Sequence, residues 1–212
     1  MAIPGCRLRT SLPSFALFMA FVLFVSNVNP SWRQDMDLAS IIRTVPDFPK
    51  PGIGFKDITP ILQDPAAFAT CVERLLALCP PTDYDVVVGI EARGFLFAAP
   101  LALRAGRPLA PARKPGKLPW RHIRHTYQLE YGEDSLCLHE DACLPGQRVL
   151  LVDDLLATGG TLLAAAQLVR RLGGLPVAAA CVVDLSFLPG RRRLEEDGLA
   201  VRTLVDVDNE AC

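Results

Sequence analysis

The chain has 212 residues, of which 50% are hydrophobic, and a formal net charge of -1. This length and composition suit one globular domain with a full hydrophobic core. Because 22 basic and 23 acidic side chains nearly cancel, the chain lacks the overall basic field that holds a nucleic acid or an anionic membrane by long-range attraction. Any anion must therefore be bound by a local site.

The cysteines and histidines indicate neither a disulfide framework nor a zinc site. Seven cysteines are scattered through predicted core elements without a C-x-x-C pair, which favours a reducing compartment. The three histidines lie at no zinc-ligand spacing to those thiols. We therefore expect a cytoplasmic protein with no metal ion held by protein ligands alone.

Residues 1–35 form an apolar N-terminal extension with two interpretations. Arg7 and Arg9 precede an apolar run over residues 15–25, as in the charged and hydrophobic regions of a signal peptide, but no small-x-small cleavage site follows. A signal peptide or membrane anchor is one interpretation. The one we favour is that translation starts at Met36, so that the functional domain is 36–212 and contacts no membrane.

From Met36 onward, short β-branched runs alternate with amphipathic segments of helical length, a pattern typical of βαβ units. We predict an α/β fold with a parallel sheet flanked by helices. In the first half of the domain, Asp64 and Pro65 are an N-cap and first helical residue. The elements predicted there are a helix over 64–79, a strand over 85–90, a loop over 91–94 and a helix over 95–105.

The second half of the domain repeats the alternation. We predict a strand over 108–113, a basic loop over 114–124, a strand over 148–154, a turn over 155–160, a helix over 161–172 and a strand over 176–183. The segment beyond Leu194 is short and polar, and the pattern assigns it no element.

The most informative segment is a Thr/Gly loop that joins the strand over 148–154 to the following helix. Glycines permit close backbone approach, and N–H groups at a helix N-terminus bind anions. The loop therefore predicts a cradle for one monoester phosphate. It has neither the Walker nor the Rossmann spacing. Its residues are Ala157, Thr158, Gly159, Gly160 and Thr161.

Two carboxylates, Asp153 and Asp154, end the strand that precedes this loop. Open α/β sheets bind ligands at the carboxyl ends of their strands. One or both aspartates can accept hydrogen bonds from vicinal ribose hydroxyls while a phosphate occupies the loop. The alternative is a pair of solvated aspartates before a glycine turn, which the adjoining loop makes the weaker interpretation.

This segment resembles the 5-phosphoribosyl 1-pyrophosphate (PRPP) signature of the type I phosphoribosyltransferases, and flanking motifs are similar to those of the adenine-specific branch. The resemblance extends over about 38–184. It implies a small N-terminal hood over the sheet. The flanking motifs are Pro46-Asp-Phe-Pro-Lys-Pro-Gly52, Phe55-Lys-Asp-Ile-Thr-Pro60, Glu91-Ala-Arg-Gly-Phe95, Arg113-Lys-Pro-Gly-Lys-Leu-Pro119 and Leu129-Glu-Tyr-Gly132.

The resemblance implies a role for each motif. The loop 157–161 would hold the 5′-phosphate, Asp153 and Asp154 the ribose hydroxyls, and Arg93 the pyrophosphate after a cis peptide at Glu91-Ala92. Adenine would meet Phe55, Lys56 and Leu155, although Phe55 also suits a core position. Lys114 and Lys117 would contact pyrophosphate, and Glu130 and Tyr131 would cover the reacting centre.

The same resemblance implies AMP and pyrophosphate as products, Mg²⁺ bound mainly through PRPP, and a homodimer that pairs around the Arg93 turn. One departure is Trp120, which stands where relatives usually have Gly and precedes a cluster of Arg and His. Loop length is kept, and we interpret the cluster as solvated.

Two other functions share the PRPP signature. One is a phosphoribosyltransferase for another purine base, because the signature reads the sugar and not the base. The other is a PRPP-sensing regulator without catalysis, against which the presence of Lys117, Glu130 and Tyr131 argues.

The role of Glu130 gives the first testable prediction. Glu130→Gln removes a carboxylate that can interact with a proton on the base or with developing charge. We expect turnover to fall by about 100-fold, within the usual range for a general acid or base. Steady-state AMP formation measures it, and unchanged turnover would remove Glu130 from the mechanism.

Overall fold

The computed structural model describes residues 36–128 and 133–208. A 3₁₀ turn at Ala39–Ile41 comes first. The strands are β1 Arg43–Val45, β2 Phe55–Asp57, β3 Val86–Ile90, β4 Leu109–Ala112, β5 His122–Gln128, β6 Glu133–His139, β7 Arg148–Leu156, β8 Leu175–Leu185 and β9 Ala200–Val207. The helices are α1 Thr59–Gln63, α2 Pro65–Leu78, α3 Gly94–Ala105, α4 Gly160–Arg171 and α5 Gly190–Glu196.

A five-stranded sheet in the order β4-β3-β7-β8-β9 forms the centre of the fold. Each neighbouring pair in it is parallel, so all five carboxyl ends meet at one edge. The strand predicted over 85–90 agrees with this position, because all residues of β3 are buried, as expected of a strand covered on both faces.

Alternate residues of the central strands supply two hydrophobic cores, one on each face of the sheet. Val86, Val88 and Ile90 of β3 face the core that contains α4 and the β5–β6 hairpin. Val87 faces the other core, to which α2 and α3 contribute. The predicted α/β fold with helices on both faces is confirmed.

Two small antiparallel sheets stand outside the central one. β1 pairs with β2 and forms the hood that the resemblance implied. β5 pairs with β6 from His122↔His139 to Gln128↔Glu133, and this hairpin packs against α4 through Tyr127 and Leu136.

Several local predictions are confirmed. The Asp64 side chain accepts hydrogen bonds from the Ala66 and Ala67 N–H groups at 2.8 and 3.2 Å and so caps α2. Gly106 ends α3 with φ of 61°, a left-handed conformation that favours glycine.

Other predictions were wrong at element boundaries. The predicted loop over 114–124 ends earlier, because β5 begins at His122 through pairing with β6. The predicted turn over 155–160 is shorter, since β7 continues to Leu156 alongside β8. The unassigned segment beyond Leu194 contains the end of α5 and all of β9. For β5, β7 and β9, pairing with another strand overrides the local pattern.

Within the segments that the structure describes, no helix combines the length and apolar character needed to cross a membrane. The proposed signal-like run and the alternative start at Met36 concern residues 1–35, which lie outside the described residues.

Candidate active site

The Thr/Gly loop forms a small cavity at the carboxyl edge of the sheet. β7 ends at Leu156 and α4 begins at Gly160, so three residues make the turn. Gly159 has φ of 78°, which glycine adopts without a steric penalty. The cavity has a volume of about 90 Å³ and is lined by Asp153 and residues 155–162. Backbone N–H groups at the N-terminus of α4 make this cavity suitable for an anion.

The turn between β3 and α3 lies against the end of β7. Its Glu91–Ala92 peptide is cis, as the resemblance implied. Gly94 follows, and a methyl group built on it would lie 2.7 Å from the Val152 carbonyl oxygen and 2.9 Å from Asp153 Oδ1. Position 94 therefore requires glycine, since both obstacles belong to a buried strand end.

Arg93 joins this turn to the aspartate pair. Its Nε lies 2.9 Å from Asp154 Oδ2, while 44% of the Arg93 side chain and 6% of the Asp154 side chain are exposed. Asp154 Oδ2 accepts no hydrogen bond within the described residues. The contact is thus an ion pair with the guanidinium still open to solvent.

Phe55 of the hood also contacts Arg93. The Arg93 guanidinium carbon is 5.4 Å from the Phe55 ring centroid, within the range of a cation–π contact. The Phe48 ring meets the Phe55 ring edge-on at 5.1 Å between centroids. Phe55 is absent from both hydrophobic cores of the described residues, which favours a ligand-facing position over a core position.

Burial raises the pKa of both aspartates, and the neighbouring charge adds to the shift of Asp153. The pKa of Asp153 is raised well above its ordinary value by desolvation and by the adjacent Asp154 charge. Desolvation also raises the pKa of Asp154, and the Arg93 charge opposes this shift. Two carboxyl groups held at such a cost to stability are typical of a functional site rather than of a stabilising one.

A second group of polar side chains reaches the loop from the β5–β6 hairpin. The Tyr127 hydroxyl lies 3.1 Å from Thr161 Oγ1 and donates to Asp134 Oδ2 at 3.1 Å. Lys114 forms an ion pair with the same Asp134 oxygen. Burial lowers the pKa of Lys114, but the hydrogen bonds to Asp134 and Tyr127 outweigh it, so the net shift is upward. Lys114 is therefore charged and held beside the loop.

Glu91 connects this group to the Arg93 turn. Its Oε2 accepts a hydrogen bond from the Lys114 N–H at 2.8 Å, and Arg113 donates to both Glu91 oxygens at 3.3 Å. Burial would raise the pKa of Glu91, but these donors outweigh it and lower the pKa. The root of the basic loop is thus fixed to the turn that carries Arg93.

The chain is also similar to known proteins. Residues 63–211 match the model of the phosphoribosyl transferase domain. The chain belongs to the adenine phosphoribosyltransferase family. Adenine phosphoribosyltransferase from Pseudoalteromonas atlantica is 50% identical over 173 residues, which cover 82% of this chain and 97% of that protein.

Two solved structures agree with this assignment. The crystal structure of adenine phosphoribosyltransferase from Thermoanaerobacter pseudethanolicus has a TM-score of 0.77 and 50% identity, and the match covers 80% of this chain and 98% of that one. The enzyme from Saccharomyces cerevisiae, in complex with an imino-altritol bisphosphate and adenine, has a TM-score of 0.74 and 37% identity over 83% and 99% of the two chains. The chain is thus a pentosyltransferase with the type I fold.

Most site residues predicted from the sequence come together. Asp153, Leu155 and residues 157–161 line one cavity, with Arg93 and Phe55 adjoining through Asp154. Lys56 is 8% exposed, and its Nζ donates to Thr44 Oγ1 at 3.0 Å, so its side chain is part of the hood. Lys117 is exposed. Glu130 and Tyr131 lie outside the described residues.

Trp120, near the end of the basic loop, packs against His139 of β6. It is 51% exposed and meets the His139 ring edge-on at 6.1 Å between centroids, and His122 Nδ1 lies 2.8 Å from the Trp120 carbonyl oxygen. Arg121 and Arg124 are exposed, in agreement with a solvated cluster.

Sequence reasoning missed four groups that organise the site. Glu91 and Arg113 fix the root of the basic loop, and Tyr127 and Asp134 connect Lys114 with Thr161. Glu91 and Arg113 stood inside motifs that the resemblance singled out, so the signal was present for them. For Tyr127 and Asp134 the signal lay in the hairpin register, which the local sequence pattern does not reveal.

The raised pKa of Asp153 predicts that Asp153→Asn stabilises the free protein. The folded-state pKa lies above the unfolded-state value, so the carboxyl group contributes stability that is fully present below the unfolded-state pKa and is lost as the pH rises through the folded-state pKa. We expect a higher Tm for the variant at about pH 7 and a shrinking difference towards about pH 4.

Asp85→Asn is the matched control because its shift has the opposite sign. Hydrogen bonds from Arg148 lower the pKa of Asp85 to about 2, so its removal should lower the Tm at neutral pH. Thermal unfolding of both variants across this pH range decides the matter. A destabilised Asp153→Asn protein at neutral pH contradicts the electrostatic account.

Proposed function

We propose that this chain transfers the 5-phosphoribosyl group of PRPP to adenine through the site at the carboxyl edge of the sheet. The single observation that carries the proposal is the position of Arg93, which contacts both Asp154 and the Phe55 ring. A sugar bound to the aspartates would therefore lie next to the loop 157–161, which can bind a phosphate, and near the Phe55 ring, which can bind a base. The relative from Saccharomyces cerevisiae was solved with a bisphosphate and adenine, which agrees with this layout.

The loop 157–161 would hold the 5′-phosphate and the aspartates the ribose. N–H groups at a helix N-terminus stabilise a phosphate without a lysine. Asp153 lines the cavity, and its carboxylate can accept from ribose hydroxyls. Binding would supply further donors to this carboxylate, which accepts a hydrogen bond from the Asp154 N–H at 2.9 Å.

The pyrophosphate leaving group would be neutralised by Arg93, Lys114 and Lys117. Arg93 has a partly exposed guanidinium, and Lys114 is held at the root of the loop that bears Lys117. The cavity offers backbone N–H groups, which do not bind a cation, and Asp154 is already paired with Arg93. Mg²⁺ therefore fits as a cation bound mainly by PRPP oxygens. When bound, it neutralises charge on the pyrophosphate.

In the reaction, the bond between ribose C1 and the pyrophosphate oxygen breaks and that oxygen keeps the electron pair. The bond from adenine N9 to C1 forms, and the N9 proton leaves. Phe55 and Leu155 would place the base, with backbone groups at Lys56 at its edge. Glu130 would interact with the departing proton, and Tyr131 would exclude water from the oxocarbenium-like centre.

Base selectivity is the direct test of this function. AMP formation from PRPP and Mg²⁺ should be rapid with adenine and at least about 100-fold slower in kcat/KM with hypoxanthine, guanine or xanthine, because a site built to pair with one base edge leaves groups unpaired against another. Parallel assays of the full chain measure it. Preference for another base would support the alternative purine enzyme, and PRPP binding without turnover would support the regulator.

We further propose a homodimer that pairs along α3, which begins directly after Arg93. Leu96, Ala99 and Leu103 form an exposed apolar stripe on this helix, with Leu96 43% and Leu103 82% exposed. Apolar side chains that recur at helical spacing on a surface are typical of an interface.

A cytoplasmic location is supported by the described cysteines, which are buried and free: Cys71, Cys79, Cys137, Cys143 and Cys181.

Leu96→Glu tests the interface because it places a charge within the stripe. We expect the dimer dissociation constant to rise by about 100-fold, since an unpaired buried charge opposes association by several kcal/mol. Sedimentation velocity over a concentration series measures it. Leu144→Glu, at a leucine that is 65% exposed elsewhere on the surface, should leave association unchanged. A Leu96→Glu protein that still sediments as the wild type excludes this interface.

A further inference from the structure

Helix α5 lies directly against the loop 157–161, although Arg193 of α5 and Thr158 of the loop are 35 positions apart in the sequence. The helix is firmly attached to the sheet. Arg191 donates to Asp184 Oδ2 at the end of β8 and to Thr203 Oγ1 of β9, both at 2.7 Å. Leu194 is fully buried. Such attachment makes α5 a rigid support.

The first contact of this support is made by Gly190. A methyl group built on Gly190 would lie 2.1 Å from the Ala157 carbonyl oxygen, and one built on Gly159 would lie 3.1 Å from the Gly190 carbonyl oxygen. The two glycines therefore allow the loop backbone and the start of α5 to touch without intervening side chains. The Ala157 carbonyl oxygen is thereby held on the side of the loop that faces α5.

The second contact is a hydrogen bond from Arg193. Its Nη1 donates to the Thr158 carbonyl oxygen at 2.7 Å, within the short range typical of a charged donor. Arg193 thus holds the carbonyl that follows the one held by Gly190.

These contacts determine where the loop N–H groups point. In a trans peptide the C=O and the following N–H lie in one plane and point in opposite directions. When α5 holds the Ala157 and Thr158 carbonyls on its own side, the Thr158 and Gly159 N–H groups point away from α5. Thr158 and Gly159 both line the cavity that the Thr/Gly loop forms. Two consecutive N–H groups directed in this way form an anion-binding nest.

We propose that Arg193 is a positioning residue for the 5′-phosphate of PRPP. It acts through the Thr158 carbonyl and does not itself contact the substrate. This inference rests on the proposed function, because it takes the loop 157–161 as the 5′-phosphate site. Without Arg193 the Thr158–Gly159 peptide rotates more freely, and phosphate binding must then restrict it.

The test compares Arg193→Ala with Arg192→Ala in the full chain. Arg192 is the neighbouring arginine on α5, and it forms an exposed ion pair with Glu196 of the same helix at 3.8 Å. For Arg193→Ala we expect KM for PRPP to rise by about tenfold, the effect of one charge-assisted hydrogen bond. KM for adenine and kcat should stay within about twofold, and Arg192→Ala should match the wild type.

Binding measurements separate positioning from general damage. In calorimetry, Arg193→Ala should lower the affinity for AMP, which carries the 5′-phosphate. The affinities for adenosine and adenine should stay unchanged. Arg193→Lys keeps a charged donor and should recover part of the AMP affinity. Gly190→Ala disturbs the same support from a different position and should also raise KM for PRPP selectively.

The outcomes distinguish the inference from the function on which it rests. If the wild type forms no AMP from adenine and PRPP, the proposed function fails. If the wild type is active and Arg193→Ala is indistinguishable from Arg192→Ala, only the positioning role fails. An equal loss of affinity for AMP and adenosine, with a lower Tm, also overturns it, because it indicates a structural role for Arg193.

Discussion

The close approach of Gly94 to the end of β7 determines the geometry of the whole site. A methyl group at this position would lie within 3.0 Å of three β7 atoms, so a side chain would push α3 and its turn away from the aspartate pair. Because Gly94 leaves room, Arg93 reaches Asp154 and Phe55 at once, and Glu91 reaches the root of the basic loop. Both βα units therefore contribute to one site at the carboxyl edge of the parallel sheet.

The site is built at a cost in electrostatic energy that its ligands would relieve. Asp153 and Asp154 are adjacent, poorly solvated and matched mainly by one partly exposed arginine. Ribose hydroxyls would donate to these carboxylates, and a phosphate would accept from the loop N–H groups at the start of α4. The chain thus has an arrangement of charges that a bound phosphoribosyl group would stabilise, as expected where groups are preorganised for binding.

The parts of the site that are contiguous in sequence could be predicted from it. The strand, aspartates, glycine loop and helix from Arg148 to Arg171 form one continuous signal, and the structure has them in that order. The supports could not be predicted. Arg193 reaches Thr158 across 35 positions and Tyr127 reaches Thr161 across 34, and such contacts depend on tertiary packing that no local pattern encodes. The same limit explains the early start of β5, which pairs with β6, and the unassigned strand β9, which pairs with β8.

The central claim is that the loop 157–161 is a phosphate cradle whose N–H groups are directed by α5 and whose neighbouring aspartates hold a sugar. A crystal structure of the full chain with bound AMP tests it most directly. The account predicts phosphate oxygens about 3 Å from the Thr158 and Gly159 nitrogens, with the ribose hydroxyls on Asp153 or Asp154. A phosphate bound instead between Lys114 and Lys117, with the loop left empty, would contradict the account.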